Sequence, residues 1–109
     1  MQPLSLDLLD SVLAAPAALV YKHSTRCPIS AMAYDEMREL VERRPEVPVW
    51  IVDVHAQRPV SHAIAERTGV THHSPQLILL VNGEVAWDVS HFGIRARAVE
   101  ERLSVVEAE

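Results

Sequence analysis

The segment from Ala17 to Val54 constrains the fold more than any other, because it reads as strand, helix and strand in immediate succession. AALVY (Ala17–Tyr21) is a short apolar run that suits a buried strand. From Pro28 to about Arg43, the residues Ile29, Ala33, Met37, Leu40 and Val41 recur at helical spacing, with Asp35, Glu36, Arg38, Glu39 and Glu42 mostly outside that stripe. VWIVDV (Val49–Val54) is apolar and β-branched, a second buried strand. Two strands joined by one helix make a parallel pair with a right-handed crossover. Further on, QLILLV (Gln76–Val81) reads as a third strand, and Asn82-Gly83 is a strong hairpin signal. The partner strand, Glu84–His91, alternates Val85, Trp87 and Val89 against Ala86, Asp88 and Ser90, so one face is wetter than the other. Helices are expected after Ser5, from Pro59 to Thr68 with Gly69 as the stop, and after Gly93. The expected fold is a single α/β domain over residues 1–109, with a mixed four-stranded sheet and helices on both faces.

Composition narrows the function. The chain has 109 residues and a net charge of −5, which argues against general nucleic-acid or membrane-surface binding, since both need a basic field. A single cysteine excludes an internal disulfide and hence a secreted disulfide framework. The apolar N-terminal stretch lacks a leading Lys or Arg and is interrupted by Asp7 and Asp10, which makes a poor signal peptide. No apolar run reaches the length of a membrane span. A cytoplasmic, reducing location is expected.

The cysteine lies in KHSTRCPIS (Lys22–Ser30). Pro28 suits the first position of a helix, so Cys27 falls at the N-cap. Its sulfur is then expected beside the N–H groups of Ile29 and Ser30, which a helix start leaves without internal partners. Those donors and the helix dipole favour a thiolate with a depressed pKa. The Ser30 hydroxyl, one turn on, is a further donor, and Lys22, His23 and Arg26 add positive charge. A lone cysteine is more often a small buried hydrophobe. The position of Cys27, in a polar turn after a buried strand and before a proline-opened helix, favours reactivity instead.

Strand, Cys-Pro-x-Ser turn and long helix, followed by GVTHHSPQLILLVNGEVAW, resemble the thioredoxin superfamily. Gly69-Val70, Ser74-Pro75, Leu77–Val81 and Asn82-Gly83 match its second segment in order. More narrowly, His23-Ser24-Thr25-x-Cys27-Pro28-Ile29-Ser30, with His72, Ser74, Pro75 and Gln76, resembles the monothiol bacilliredoxins, a family associated with removing the low-molecular-weight thiol bacillithiol from modified proteins. The resemblance implies a thioredoxin fold, Cys27 as nucleophile, Pro75 as a cis-proline facing it, and Ser30 in the place of a resolving cysteine. A trans Pro75 that merely opens the strand is the commoner alternative for proline in general. Around the substrate the expected residues are Lys22, His23, Arg26, Pro28, His72 and Ser74, with the KHSTR turn meeting the malate carboxylates of bacillithiol.

The expected reaction is thiol–disulfide exchange. Cys27 takes bacillithiol from an S-bacillithiolated client, and a second bacillithiol or a reductase regenerates it. No tightly bound cofactor is expected, bacillithiol being the thiol co-substrate, and the chain is expected to be monomeric. Glutathione or coenzyme A in the same chemistry stays open. So does a different class of function, a thioredoxin-fold adaptor or holdase without turnover. The six histidines make a weak metal case, since adjacent His72 and His73 point apart on an extended segment. Asp53 reads as a carboxylate at the rim of the sheet.

Overall fold

The sheet divides the interior in two, and the alternation of β2 assigns each residue to a side. The computed structural model describes residues 1–108. In chain order the elements are β1 (Gln2–Pro3), α1 (Leu6–Ala14), β2 (Ala17–His23), α2 (Pro28–Arg43), β3 (Val49–Asp53), α3 (Arg58–Thr68), β4 (Gln76–Val81), β5 (Glu84–Ser90), a short 3-10 turn (His91–Gly93) and α4 (Ala96–Ala108). The sheet order is β1-β3-β2-β4-β5. β3 runs parallel to β2, the crossover that the strand–helix–strand pattern requires. β4 runs antiparallel to β2, and β5 antiparallel to β4 with a bulge between Leu79 and Leu80.

On one face Leu19 and Tyr21 of β2 pack with Met37 and Leu40 of α2 and with Val99 and Leu103 of α4. On the other, Ala18 and Val20 pack with Leu9 and Val12 of α1 and with Val60 and Ile64 of α3. Truncating any of the fully buried leucines, such as Leu79, removes contacts worth roughly 2–5 kcal/mol.

The sheet has five strands, one more than the expected four. The extra one is β1, two residues that pair parallel with Trp50 and Ile51 of β3. A two-residue strand carries no readable alternation, and Pro3 is tolerated there because β1 is an edge. β2 also extends two residues beyond the apolar run, through Lys22 and His23. α3 starts one residue early, at Arg58, and α4 starts at Ala96 after the 3-10 turn. Ser5 holds the N-cap position of α1 without a side-chain cap bond.

The turn chemistry follows the sequence. Gly69 ends α3 with φ of 75°, its N–H donating to the Ala65 carbonyl. Asn82 and Gly83 have φ of 52° and 80°, as a tight hairpin of the mirror-image type needs. Gly83 is required twice over, since a Cβ there would stand 2.5 Å from the Leu13 carbonyl oxygen at the end of α1.

Candidate active site

The C-terminal ends of β2 and β3 and the segment leading into β4 meet at one end of the sheet, and the thiol sits there. Cys27 is the N-cap of α2, in extended backbone, with Pro28 at the first helical position. Its side chain is partly exposed in a groove of about 310 Å³ lined by His23, Ser24, Thr25, Ala31, Tyr34 and Asp35.

The capping geometry differs from expectation. The Cys27 sulfur makes no cap hydrogen bond, and the Ser30 N–H donates instead to the Cys27 carbonyl, 3.0 Å away. The first turn of α2 thus closes on itself through a three-residue bond, a common way for a helix start to satisfy an orphan donor. Ser30 is fully buried, and its hydroxyl has no partner among the described residues. The expected bond from that hydroxyl to the sulfur is not formed.

His23 lies on the groove side because it follows Tyr21 at the strand period of two. Its Nδ1 shares a 3.0 Å hydrogen bond with the Tyr21 hydroxyl, which also reaches the Ser30 carbonyl at 3.4 Å. The His23 ring stacks at a tilt on Tyr34, centroids 5.2 Å apart. Burial lowers the His23 pKa, a shift that nearby Asp53 partly opposes. Burial, and secondarily Tyr34, raises that of Tyr21 far above the ordinary tyrosine value. The groove therefore presents a neutral imidazole at pH 7. Neither Tyr21 nor Tyr34 belongs to the Cys-Pro-x-Ser motif or to the expected substrate set. Strand alternation places Tyr21 beside His23, whereas nothing in the spacing marks Tyr34.

Lys22 is the clearest correction. It does not stand in an exposed turn beside the thiol: it is fully buried and follows Val20 onto the opposite face of the sheet. Its ammonium donates to His72 Nδ1 at 3.1 Å, and the same nitrogen lies 3.3 Å from the Ser61 hydroxyl. Desolvation pushes the Lys22 pKa down to about 8. His72 is lowered as well, chiefly by desolvation and then by the Lys22 charge. His72 and His73 do diverge, since His73 packs edge-on against His91.

Arg26 is exposed, and its backbone N–H donates to Ser24 Oγ, which in turn is 2.9 Å from His55 Nε2. Of the positive turn, Arg26 alone is an exposed cation. The Ser74–Pro75 bond is cis, Pro75 is buried, and Ser74 makes no backbone hydrogen bond among the described residues. The Ser74 hydroxyl is also buried without a partner. Asp53 sits at the rim, accepting the N–H groups of His55 and Ala56, which hold its carboxyl below the usual range. No group of three or more His, Cys, Asp or Glu among the described residues is placed to hold a metal ion. No helix among them is long and apolar enough to cross a membrane.

Comparison with known proteins places this geometry. The family described as monothiol bacilliredoxin BrxC matches residues 5–99. The chain belongs to the monothiol bacilliredoxin family. A solved structure provisionally assigned as an oxidoreductase with a thioredoxin fold is 34% identical, with a TM-score of 0.86 over 94% of this chain and 92% of its own. Thioredoxin from Trypanosoma brucei brucei superposes with a TM-score of 0.81 at 11% identity, covering 98% of this chain and 90% of its own. A point mutant of thioredoxin from Halobacterium salinarum reaches 0.73 at 20% identity, over 95% and 89%. These last two speak to the fold alone. Family and fold together support a thiol redox function, that of a thiol–disulfide oxidoreductase.

Proposed function

We propose that the protein removes bacillithiol from S-bacillithiolated client proteins by a monothiol mechanism on Cys27. The observation that carries the reading is the placement of the only thiol, partly exposed in a groove at the head of α2, with a buried serine where a resolving cysteine would stand. The Cys27 thiolate attacks the bacillithiol sulfur of the mixed disulfide. A new S–S bond forms, the old one breaks, and the client cysteine leaves as a thiolate, so no net oxidation or reduction occurs in this step. His23, neutral and in the groove, is suited to hydrogen-bond the departing sulfur. The unspent backbone groups of Ser74 suit an extended client segment laid alongside Pro75 as an added strand. Arg26 supplies the exposed positive charge, and the exposed Pro28 opens the helix that carries the thiol.

Regeneration takes a thiol from outside the chain. A second bacillithiol attacks the adduct's bacillithiol sulfur, breaking the bond to Cys27 and leaving as bacillithiol disulfide, or a dithiol partner reductase reduces the adduct, releasing free bacillithiol and the Cys27 thiolate and leaving with its own two thiols joined as a disulfide. The setting we propose is cytoplasmic and the working form monomeric, with bacillithiol as co-substrate rather than bound cofactor.

A second reading is supported by a separate feature. Beside the thiol groove lies a cavity of about 220 Å³, flanked by exposed Met32 and Phe92, a surface suited to holding an extended partner without chemistry. One experiment separates the two. A peptide carrying bacillithiol on its cysteine is mixed with the protein and followed by intact mass. The enzyme reading expects one bacillithiol to move onto the protein, and no transfer at all with Cys27→Ala. Peptide binding by both proteins without transfer to either would leave the adaptor.

A further inference from the structure

On the face of the sheet away from the thiol groove, Lys22 is a buried cation without a counter-charge. Among the described residues it forms no ion pair, and its one side-chain partner is a histidine. Buried charges are ordinarily matched by an opposite charge, because an unmatched one costs several kcal/mol of desolvation. The residue next to it fixes a further donor. An ammonium can only donate, so His72 Nδ1 must accept, and the neutral ring carries its proton on Nε2.

That ring opens onto a cavity of about 230 Å³ lined by Val54, His55, Arg58, Ser61, His62 and His72. Every polar side chain on this wall is basic or a hydroxyl, and none is acidic, in a chain whose net charge is −5. Carboxylates and phosphates accept hydrogen bonds, and the guanidinium fork and imidazole N–H groups donate them. The cavity wall is joined to the thiol groove by two hydrogen bonds: His55 lies 2.9 Å from the Ser24 hydroxyl, and the Val54 N–H donates to the His23 carbonyl at 3.0 Å, with Ser24 and His23 both lining that groove.

We propose that this basic cleft between β3, α3 and the approach to β4 is a carboxylate-binding subsite that receives the malate end of the bacillithiol moiety while its sulfur is presented to Cys27. The inference rests on the proposed de-bacillithiolation and moves carboxylate recognition from the KHSTR turn to the opposite side of the sheet. Arg58 and the His72 N–H grip the carboxylates, Lys22 supplies the positive field behind them, and His55 and His62 complete the wall.

The test uses the full chain and two mixed-disulfide peptides, one carrying bacillithiol and the other the uncharged 2-mercaptoethanol. Transfer to Cys27 is timed by intact mass, and free malate is titrated while the imidazole resonances are read by NMR. Arg58→Ala should slow transfer from the bacillithiol peptide about five-fold, the upper range for one exposed ion pair, and leave the mercaptoethanol peptide unchanged. Arg58→Lys should restore part of the difference, and malate should shift the His55, His62 and His72 resonances in the wild type more than in Arg58→Ala. Equal rates for Arg58→Ala and wild type on both peptides, or equal slowing on both, overturn the subsite while the redox reading stands. If the wild type accepts neither adduct, the redox reading is lost, and the subsite as a substrate site falls with it. Malate shifts would then show a carboxylate site serving some other purpose.

Discussion

Lys22 and His23 are neighbours in β2, yet they belong to different halves of the molecule. His23 looks toward α2, into a groove that it shares with Tyr34 and a partly exposed thiol, its neutral ring held from below by the buried Tyr21 hydroxyl. Lys22 looks toward α3, where it is buried and bonded to His72, whose ring also meets Ser61 at the wall of a basic cleft. One step along a strand reverses the side chain, so the sheet itself separates a neutral, aromatic site from a cationic one. The difference teaches that a run of positive residues in sequence is no measure of the charge around a thiol.

The contrast is broken most directly by removing the buried charge. The Lys22 pKa falls from an ordinary 10.5 to about 8, so below pH 8 folded and unfolded chains are both protonated and the folded one bears the whole penalty. Lys22→Met should therefore raise the unfolding free energy at pH 7 by about 3 kcal/mol, the equivalent of that shift. Above pH 8 the wild-type Lys22 sheds its proton on folding, so stability gained from this group grows with pH and the advantage of the variant shrinks. Urea melts at pH 7 and pH 10 check both points; an advantage that persists undiminished at pH 10 would contradict the assignment. Tyr21, whose pKa is raised, works against wild type and variant alike as pH passes its unfolded value, so it cancels from the difference.

On the groove side the corresponding change is Tyr21→Phe. It removes the hydroxyl shared by His23 Nδ1 and the Ser30 carbonyl, and the cost should be about 1 kcal/mol, the usual worth of one neutral hydrogen bond. A urea midpoint lowered by that amount, with the His23 ring resonances displaced and those of His72 unmoved, would sharpen the separation between the halves. Movement of both histidines would blur it. The smallest effect is expected far from either side. Asp10→Ala breaks the exposed pair with Arg67 and should change stability by less than about 1 kcal/mol, falling further with added salt.

Much of this architecture is legible in the residues, and what escapes has physical causes. The crossover unit, the Asn-Gly hairpin and the αL stop at Gly69 depend on local chemistry, so they can be read from neighbours in the chain. Cys27 at the head of α2 is legible for the same reason, since Pro28 announces the first helical position. The interior fate of Lys22 is not, because lysine is rarely buried and the apolar run stops at Tyr21, one residue short. Its partner His72 stands 50 residues away, brought near only by the antiparallel return of β4. The failure of the sulfur to cap its own helix is a matter of one backbone turn, which residue types alone leave undetermined.

The tight contact at Gly83 has a practical bearing. Hairpin tips are usually the first choice for an inserted epitope or a reporter, because loop tips tolerate additions. This tip lies at the opposite end of β2 from the thiol, with Val81 beside Ala17, which makes it a tempting handle. It is nevertheless wedged against the last turn of the first helix, where even a methyl group has no room. Labels for imaging or surface capture are better carried on the outer face of the last helix, whose Arg97, Glu101 and Ser104 stand clear in solvent.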